Sequence, residues 1–158
     1  MLMILADLLE RMVALAQHQH PLEACGIVAA PNSGPRAGLP LRLIEMHNQA
    51  QSATWFSFDP QQQLQVWREM EANDETPVVQ FHSHTASRAW PSADDIAYAS
   101  DPLAHYLIIS TDPRQPEVRS FRIRDGAVIE EAIRSVSSYE VAHLAANPAP
   151  TTAATLAA

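Results

Sequence analysis

The sequence predicts an α+β domain: a mixed, largely antiparallel sheet flanked by helices. Three observations carry this. The chain has 158 residues, 47% hydrophobic and 18% charged, which fits one packed core and leaves little for a second. Strand-like and helix-like segments follow one another without strict strand–helix–strand alternation, which argues against an all-parallel sheet. Asp125-Gly126 separates two apolar runs and is a strong hairpin signal, so antiparallel pairing is present.

Taken in order, residues 1–5 are an apolar run that reads as an edge strand. Asp7 and Glu10 then have capping-box spacing, and Leu8, Leu9, Met12, Val13 and Leu15 follow at helical period, giving a helix over 7–18 that stops before Pro21. Residues 25–30 (CGIVAA) read as a short buried strand, 31–40 as a Pro/Gly loop, and 41–48 as an alternating strand. A second helix over 60–71 opens on Pro60, which is tolerated in a first turn, and Leu64, Val66, Trp67 and Met70 form its expected core set. Pro77 ends the next loop, and 78–82 is a β-branched strand. Ser92 opens a short helix to about residue 100. Strands are expected over 105–110, 118–124 and 127–133. The domain is expected over 1–142, and the Ala/Thr/Pro-rich tail 143–158 is expected to be disordered, having no periodic pattern.

Composition narrows the function. Acids number 18 and bases 10, a net charge of −8, and every base is arginine. An acidic domain without a basic run is a poor holder of nucleic acid or an anionic membrane, because phosphate affinity needs clustered cations. The one cysteine, Cys25, excludes an intrachain disulfide and an all-cysteine zinc site, and fits a reducing compartment. The apolar start lacks a basic n-region and is broken by Asp7, Glu10 and Arg11, so it does not read as a signal peptide. No stretch reaches the roughly 20 apolar residues of a membrane span. The expectation is a cytoplasmic protein.

The chemistry lies in residues 80–95. His82 and His84 are two apart at a strand end, so both rings share one face with Cα atoms roughly 6.6 Å apart. Two imidazoles so placed can converge on one ion at about 2.0–2.1 Å per Zn–N bond. Asp95 is the candidate third ligand. It stands in the first turn of the helix opened by Ser92, with S-x-x-D capping-box spacing, where free N–H groups and the helix dipole hold a carboxylate well. Two histidines and one carboxylate leave a tetrahedral zinc one open position, the catalytic type of site. Such a site still needs a general base. Glu23, between a helix end and a buried strand, is the best candidate, and the Ser92 hydroxyl is the candidate oxyanion partner.

An H-x-H pair alone is weak. H-x-H-x7-S-x-x-D with Glu-x-x-Gly upstream is far more specific, and it resembles the JAMM motif of the MPN/JAB zinc metalloprotease family over most of residues 1–136. The resemblance implies a curved mixed sheet similar to the cytidine deaminase fold. It implies Zn2+ held by His82, His84 and Asp95, with Glu23 as acid/base and Ser92 stabilising the tetrahedral intermediate. Deaminase activity itself is excluded, since neither H-x-E nor P-C-x-x-C occurs. Eukaryotic deubiquitinases of the family usually carry Pro after the second histidine, where this chain has Thr85-Ala86, and they need insertions for which there is little room. Thr85-Ala86, Trp90-Pro91-Ser92 and the short length resemble the bacterial branch with its Mec-type hydrolases. There the partner implied is a small ubiquitin-like sulfur-carrier protein with a Gly-Gly C-terminus. The reaction implied is release of cysteine from its terminal glycine, as the last step of a cysteine biosynthesis route. A neighbouring bacterial group trims carrier precursors, and the motif does not separate the two. A non-catalytic scaffold is a further reading, ranked lower because the full residue set is present. A general small-peptide hydrolase is another. The oligomeric state is not specified.

Asn48, which matches a family cleft residue, and Thr85, beside His84, are the candidate substrate contacts, with a turn-cap role equally open for Asn48. The carrier tail is expected to lie along a sheet edge beside the metal. His47 and His105 read as core or surface residues, and His18 and His20 as helix-end residues. Glu45 reads as a solvent-facing strand residue, Asp94 as a dipole partner, and Cys25 as packing. Ser87, Arg88 and Trp90 lie in the loop over the site.

Overall fold

The computed structural model describes residues 1–140. The tail expected to be disordered, 143–158, lies outside the described residues. The elements are β1 (Leu2–Leu5), α1 (Ala6–Gln19), β2 (Cys25–Pro31), β3 (Arg42–Met46), α2 (Pro60–Ala72), β4 (Glu75–His84), α3 (Ala93–Tyr98), β5 (His105–Ser110), β6 (Glu117–Arg124), β7 (Ala127–Glu131) and β8 (Ile133–Val136).

Six strands form one sheet in the order β3-β2-β4-β5-β6-β7. Only β4 and β5 run parallel, and the other four neighbouring pairs are antiparallel. The mixed, largely antiparallel sheet flanked by helices is therefore as expected. Asp125 and Gly126 both take positive φ, 50° and 77°, which is the twist a two-residue hairpin between β6 and β7 requires.

Alternation sorts each strand's residues between two faces. On one face Val28, Val79, Phe81, Leu107 and Ile109 pack against Leu2, Ile4, Leu8, Met12 and Ala16 of β1 and α1. On the other, Cys25, Ile27, Ala29 and Met46 pack against Val66 and Met70 of α2, with Phe56 and Phe58 beside them. Gly26 is required where it stands. A Cβ there would lie 2.5 Å from the Ile44 carbonyl oxygen and 2.5 Å from the Phe81 ring, so only glycine lets that ring lie against β2.

Four expectations shift. The Asp7–Glu10 capping box does not form. Leu5 is still paired to Val136 of β8, so strand runs straight into helix with Leu5 at the cap, and Asp7 falls in the first turn. Leu64 and Trp67 are exposed, by 54% and 37%, because the short α2 meets the sheet only along its Val66–Met70 line. β4 is longer than the predicted 78–82 and includes Pro77. Pro77 is tolerated because β5 joins only at Val79, and because the β2 register skips a residue between Val28 and Ala29. The strand expected over 127–133 breaks at Ala132, whose carbonyl accepts the Leu2 N–H (2.9 Å), and β8 leaves to pair in parallel with β1.

Candidate metal centre

His82 and His84 end β4 on the α2 side of the sheet. Their Nε2 atoms are 3.1 Å apart. Asp95 completes the group, with Oδ1 3.2 Å from His82 Nε2 and Oδ2 3.3 Å from His84 Nε2. One donor atom from each residue lies within 4.8 Å of the others, so the three form a group that can hold a metal ion. Asp95 is delivered by the predicted capping box. The Ser92 N–H donates to Asp95 Oδ2 (2.7 Å), and the Asp95 N–H donates to Ser92 Oγ (3.1 Å). His84 Nδ1 lies 2.9 Å from the Arg88 carbonyl oxygen. Donating Nδ1–H there leaves the Nε2 lone pair free for a cation. The His82 ring stacks on Phe56, centroids 4.5 Å apart at 23°.

The register places Glu23. Cys25 pairs with His82, and the Ser83 N–H to Ala24 carbonyl bond (2.9 Å) continues the pairing, so Glu23 comes level with His84. The matching parity puts it on the ligands' face. On the other side Cys25 pairs with Met46, which brings Asn48 level with Glu23. Asn48 Nδ2 donates to the carbonyls of Glu23 and Trp55 (both 3.0 Å), and its Oδ1 accepts from the N–H groups of Ala50 (3.0 Å) and Ser57 (3.1 Å). All four hydrogen-bonding positions of the amide are thus used inside the chain. Thr85 Oγ1 donates to the Ala53 carbonyl (2.8 Å). The structure therefore gathers Glu23, His82, His84, Ser92 and Asp95, while Asn48 and Thr85 tie segment 48–57 around them.

Residues 5–124 match the family described as prokaryotic homologs of the JAB domain. The chain belongs to this family. It is 50% identical over 139 residues to the CysO-cysteine peptidases of Mycobacterium bovis and Mycobacterium tuberculosis, covering 87% of this chain and 93% of each relative. A solution structure of a protein from Desulfitobacterium hafniense superposes with a TM-score of 0.74 at 36% identity, over 90% of this chain and 98% of that one. A JAB1/MPN domain protein from Archaeoglobus fulgidus shares the fold, with a TM-score of 0.54 at 16% identity over 85% and 100% of the two chains.

The charges of this JAB domain are arranged for a cation. Burial opposes ionisation of Asp95, but the His82 and His84 rings facing its oxygens and the Ser92 N–H outweigh it and hold the carboxyl well below the usual range. Burial also disfavours charge on His82 and lowers its pKa, which favours the neutral imidazole, the form that binds metal. At His84 burial is outweighed by the Asp95 and Arg88 contacts and by the charges of Asp95 and Glu23, and the pKa rises. A positive charge is favoured at that position. Glu23 is 5% exposed, and burial pushes its pKa up to about 7, partly offset by His84 and reinforced by Asp95.

Elsewhere, Cys25 is buried and its Sγ donates to the Met46 carbonyl (3.5 Å). Burial and the nearby Glu23 and Glu45 push its pKa up to about 12, so it stays a thiol and serves as packing. Glu45 and His47 are exposed, and His105 bonds Glu131, away from the ligands. No helix among the described residues is long and apolar enough to cross a membrane. Sequence reasoning missed three supports: the Phe56 stack, the Arg88 carbonyl, and a cavity of about 360 Å3 beside His82 and Asp95 walled by Trp55, Phe56 and Tyr98. The run Trp55-Phe56-Ser57-Phe58 is too aromatic for a solvated loop and was the available signal.

Proposed function

We propose that the chain is a zinc-dependent peptidase acting on a small ubiquitin-like sulfur-carrier protein, with its JAB domain over about residues 1–142. It cuts after the C-terminal glycine and releases cysteine, in the cytoplasm. The carrying observation is the buried Glu23 level with His84, on the same sheet face as the His82/His84/Asp95 group. The name of the half-identical mycobacterial relatives supports a cysteine joined to a carrier as the substrate.

The donor set fits zinc: two imidazole nitrogens and one carboxylate oxygen, all nearly buried. His82, His84 and Asp95 would hold it. When bound, zinc supplies Lewis acidity toward the scissile carbonyl and toward the attacking water. Glu23 takes the water's proton and delivers it to the departing amine, a shuttle suited to a carboxyl whose pKa burial has raised toward neutrality. The exposed Ser92 hydroxyl, whose oxygen already accepts the Asp95 N–H, keeps its own proton to donate to the developing oxyanion. Asn48 and Thr85 act by holding segment 48–57 and the Glu23 main chain. The tail cannot join the sheet beside the ligands as expected, because β4 is flanked by β2 and β5. We place it instead against the aromatic wall of Trp55, Phe56 and Tyr98, ending in the proposed Gly-Gly so that the backbone can approach the ligands closely.

Glu23→Gln should keep zinc and lose about a thousandfold in cleavage of a carrier–cysteine conjugate, within the range for a general base. Full activity in that variant would remove Glu23 from the mechanism. The mass of the released fragment separates cysteine release from precursor trimming.

A further inference from the structure

The turn over the metal group is held from a distance, and its anchors have no other assigned work. Ser110 and Glu117 face each other as a register pair between β5 and β6. Ser110 Oγ donates to the Ser87 carbonyl (2.7 Å). Glu117 Oε1 accepts the Ala89 N–H (2.9 Å) and Arg88 Nε (3.0 Å), while its Oε2 accepts Arg88 Nη2 (3.0 Å). Between these two anchors lies the Arg88 carbonyl, which accepts from His84 Nδ1 (2.9 Å) and from the Trp90 N–H (2.8 Å). Trp90 is seated edge-on against Phe121, centroids 5.1 Å apart, under the Arg119 guanidinium, 5.0 Å from its ring.

We infer that Glu117 is a positioning residue for the metal centre. Through its bond to the Ala89 N–H, it fixes the Arg88 carbonyl against His84 Nδ1, and so aims the His84 Nε2 lone pair at the ion. A carboxylate 22% exposed at the start of β6 would otherwise gain little from a surface pair with an arginine that is 61% exposed. Its bond to a main-chain N–H next to the His84 acceptor gives it a larger task. Outer partners of this kind fix both the tautomer and the orientation of a ligating histidine. The inference rests on the zinc reading above.

The test compares Glu117→Ala, Glu117→Gln and Arg88→Ala by zinc affinity in chelator competition and by the visible spectrum of the cobalt(II)-loaded protein. Melting of the metal-free chains is followed alongside. Glu117→Ala should weaken zinc roughly 10- to 100-fold and change the cobalt spectrum. Glu117→Gln keeps an oxygen for the Ala89 N–H and should recover most of that loss with a near-normal spectrum. Arg88→Ala leaves the Ala89 bond and should stay within about threefold of wild type. A lowered melting point in Glu117→Ala with zinc affinity and spectrum unchanged would overturn the inference and leave a structural role only. Equal losses in Glu117→Ala and Arg88→Ala would overturn it too, since the ion pair and not the main-chain grip would then be the cause. A wild-type chain that takes up neither metal sinks the zinc reading and this inference together. A wild type that loads zinc and cleaves while Glu117→Ala matches it sinks only this one.

Discussion

The two faces of β4 carry opposite chemistry from one stretch of chain. On the α1 face, Val79 and Phe81 are fully buried beneath β1 and α1, and Ser83 there is buried too, its Oγ accepting the Ala24 N–H. On the α2 face, the same alternation presents His82 and His84, and α2 stops short of covering them. Strand alternation alone cannot make a site, since it operates on both faces. What separates them is the covering element. A helix of 14 residues seals one side, while one of 13, set against β2 and β3 through Val66 and Met70, leaves the end of β4 open to Glu23 and α3. The contrast implies that changes on the sealed face act on stability and those on the open face act on chemistry.

The largest effect tests the open face. Asp95→Asn keeps an oxygen for the Ser92 N–H and so spares the capping box, but it removes the anionic ligand. Cleavage should fall by roughly a thousandfold or more, with zinc affinity falling in parallel, because several kcal/mol of metal-assisted catalysis goes with the ion. The metal-free chain should melt close to wild type. Next is the sealed face: Phe81→Ala should cost about 3–5 kcal/mol in denaturant unfolding. The rate per folded, zinc-loaded molecule should stay near wild type, and a variant that unfolds easily yet also loses its rate per loaded molecule would break the contrast.

A third prediction concerns the α1 face again, where β5, β6 and β7 meet beyond β4. Glu131 is nearly buried and accepts from His105 Nδ1, Ser120 Oγ (2.9 Å) and the amino group of Met1 (2.9 Å). Burial resists its charge, but these donors outweigh that and hold its pKa at about 2. A depressed carboxyl stabilises the fold above its unfolded pKa near 4.5, and that stabilisation is lost as pH falls from there toward about 2. The amount is on the order of 3 kcal/mol. The stability gap between wild type and Glu131→Gln, measured by denaturant at pH 7 and again at pH 3, should shrink. A gap independent of pH would show that the carboxylate's charge is not what matters there.

What could be read in advance was local. The His82–His84 spacing and the Ser92–Asp95 box each span four residues or fewer, within which strand period and helix capping fix geometry without knowledge of the rest. The hairpin at Asp125-Gly126 was legible for the same reason. Glu23 stood out by its place between a helix end and a buried strand, but preferring it to Glu45 leaned on the family resemblance, because its position level with His84 is a matter of β2–β4 register. The Arg88 carbonyl and Glu117 were not legible at all: one is main chain, and the other is 29 positions away. Asp7 and the split at Ala132 failed because β1–β8 pairing, which no local pattern announces, overrides the local cap and strand signals.

The last comparison tests the covering helix itself, and its Leu64 arm carries the smallest effect. The sequence pattern of α2 treats Leu64, Val66, Trp67 and Met70 alike, yet only Val66 and Met70 are buried. Met70→Ala should cost about 2–5 kcal/mol, as for a buried methionine truncated in a packed core. Leu64→Ala removes a side chain that is 54% exposed and should stay within about 0.5 kcal/mol. If the two were equal in thermal or denaturant unfolding, α2 would have to meet the sheet along a different line. The cover over the histidine face would then extend further than the described packing allows, and the contrast between a sealed and an open side of β4 would lose its structural cause.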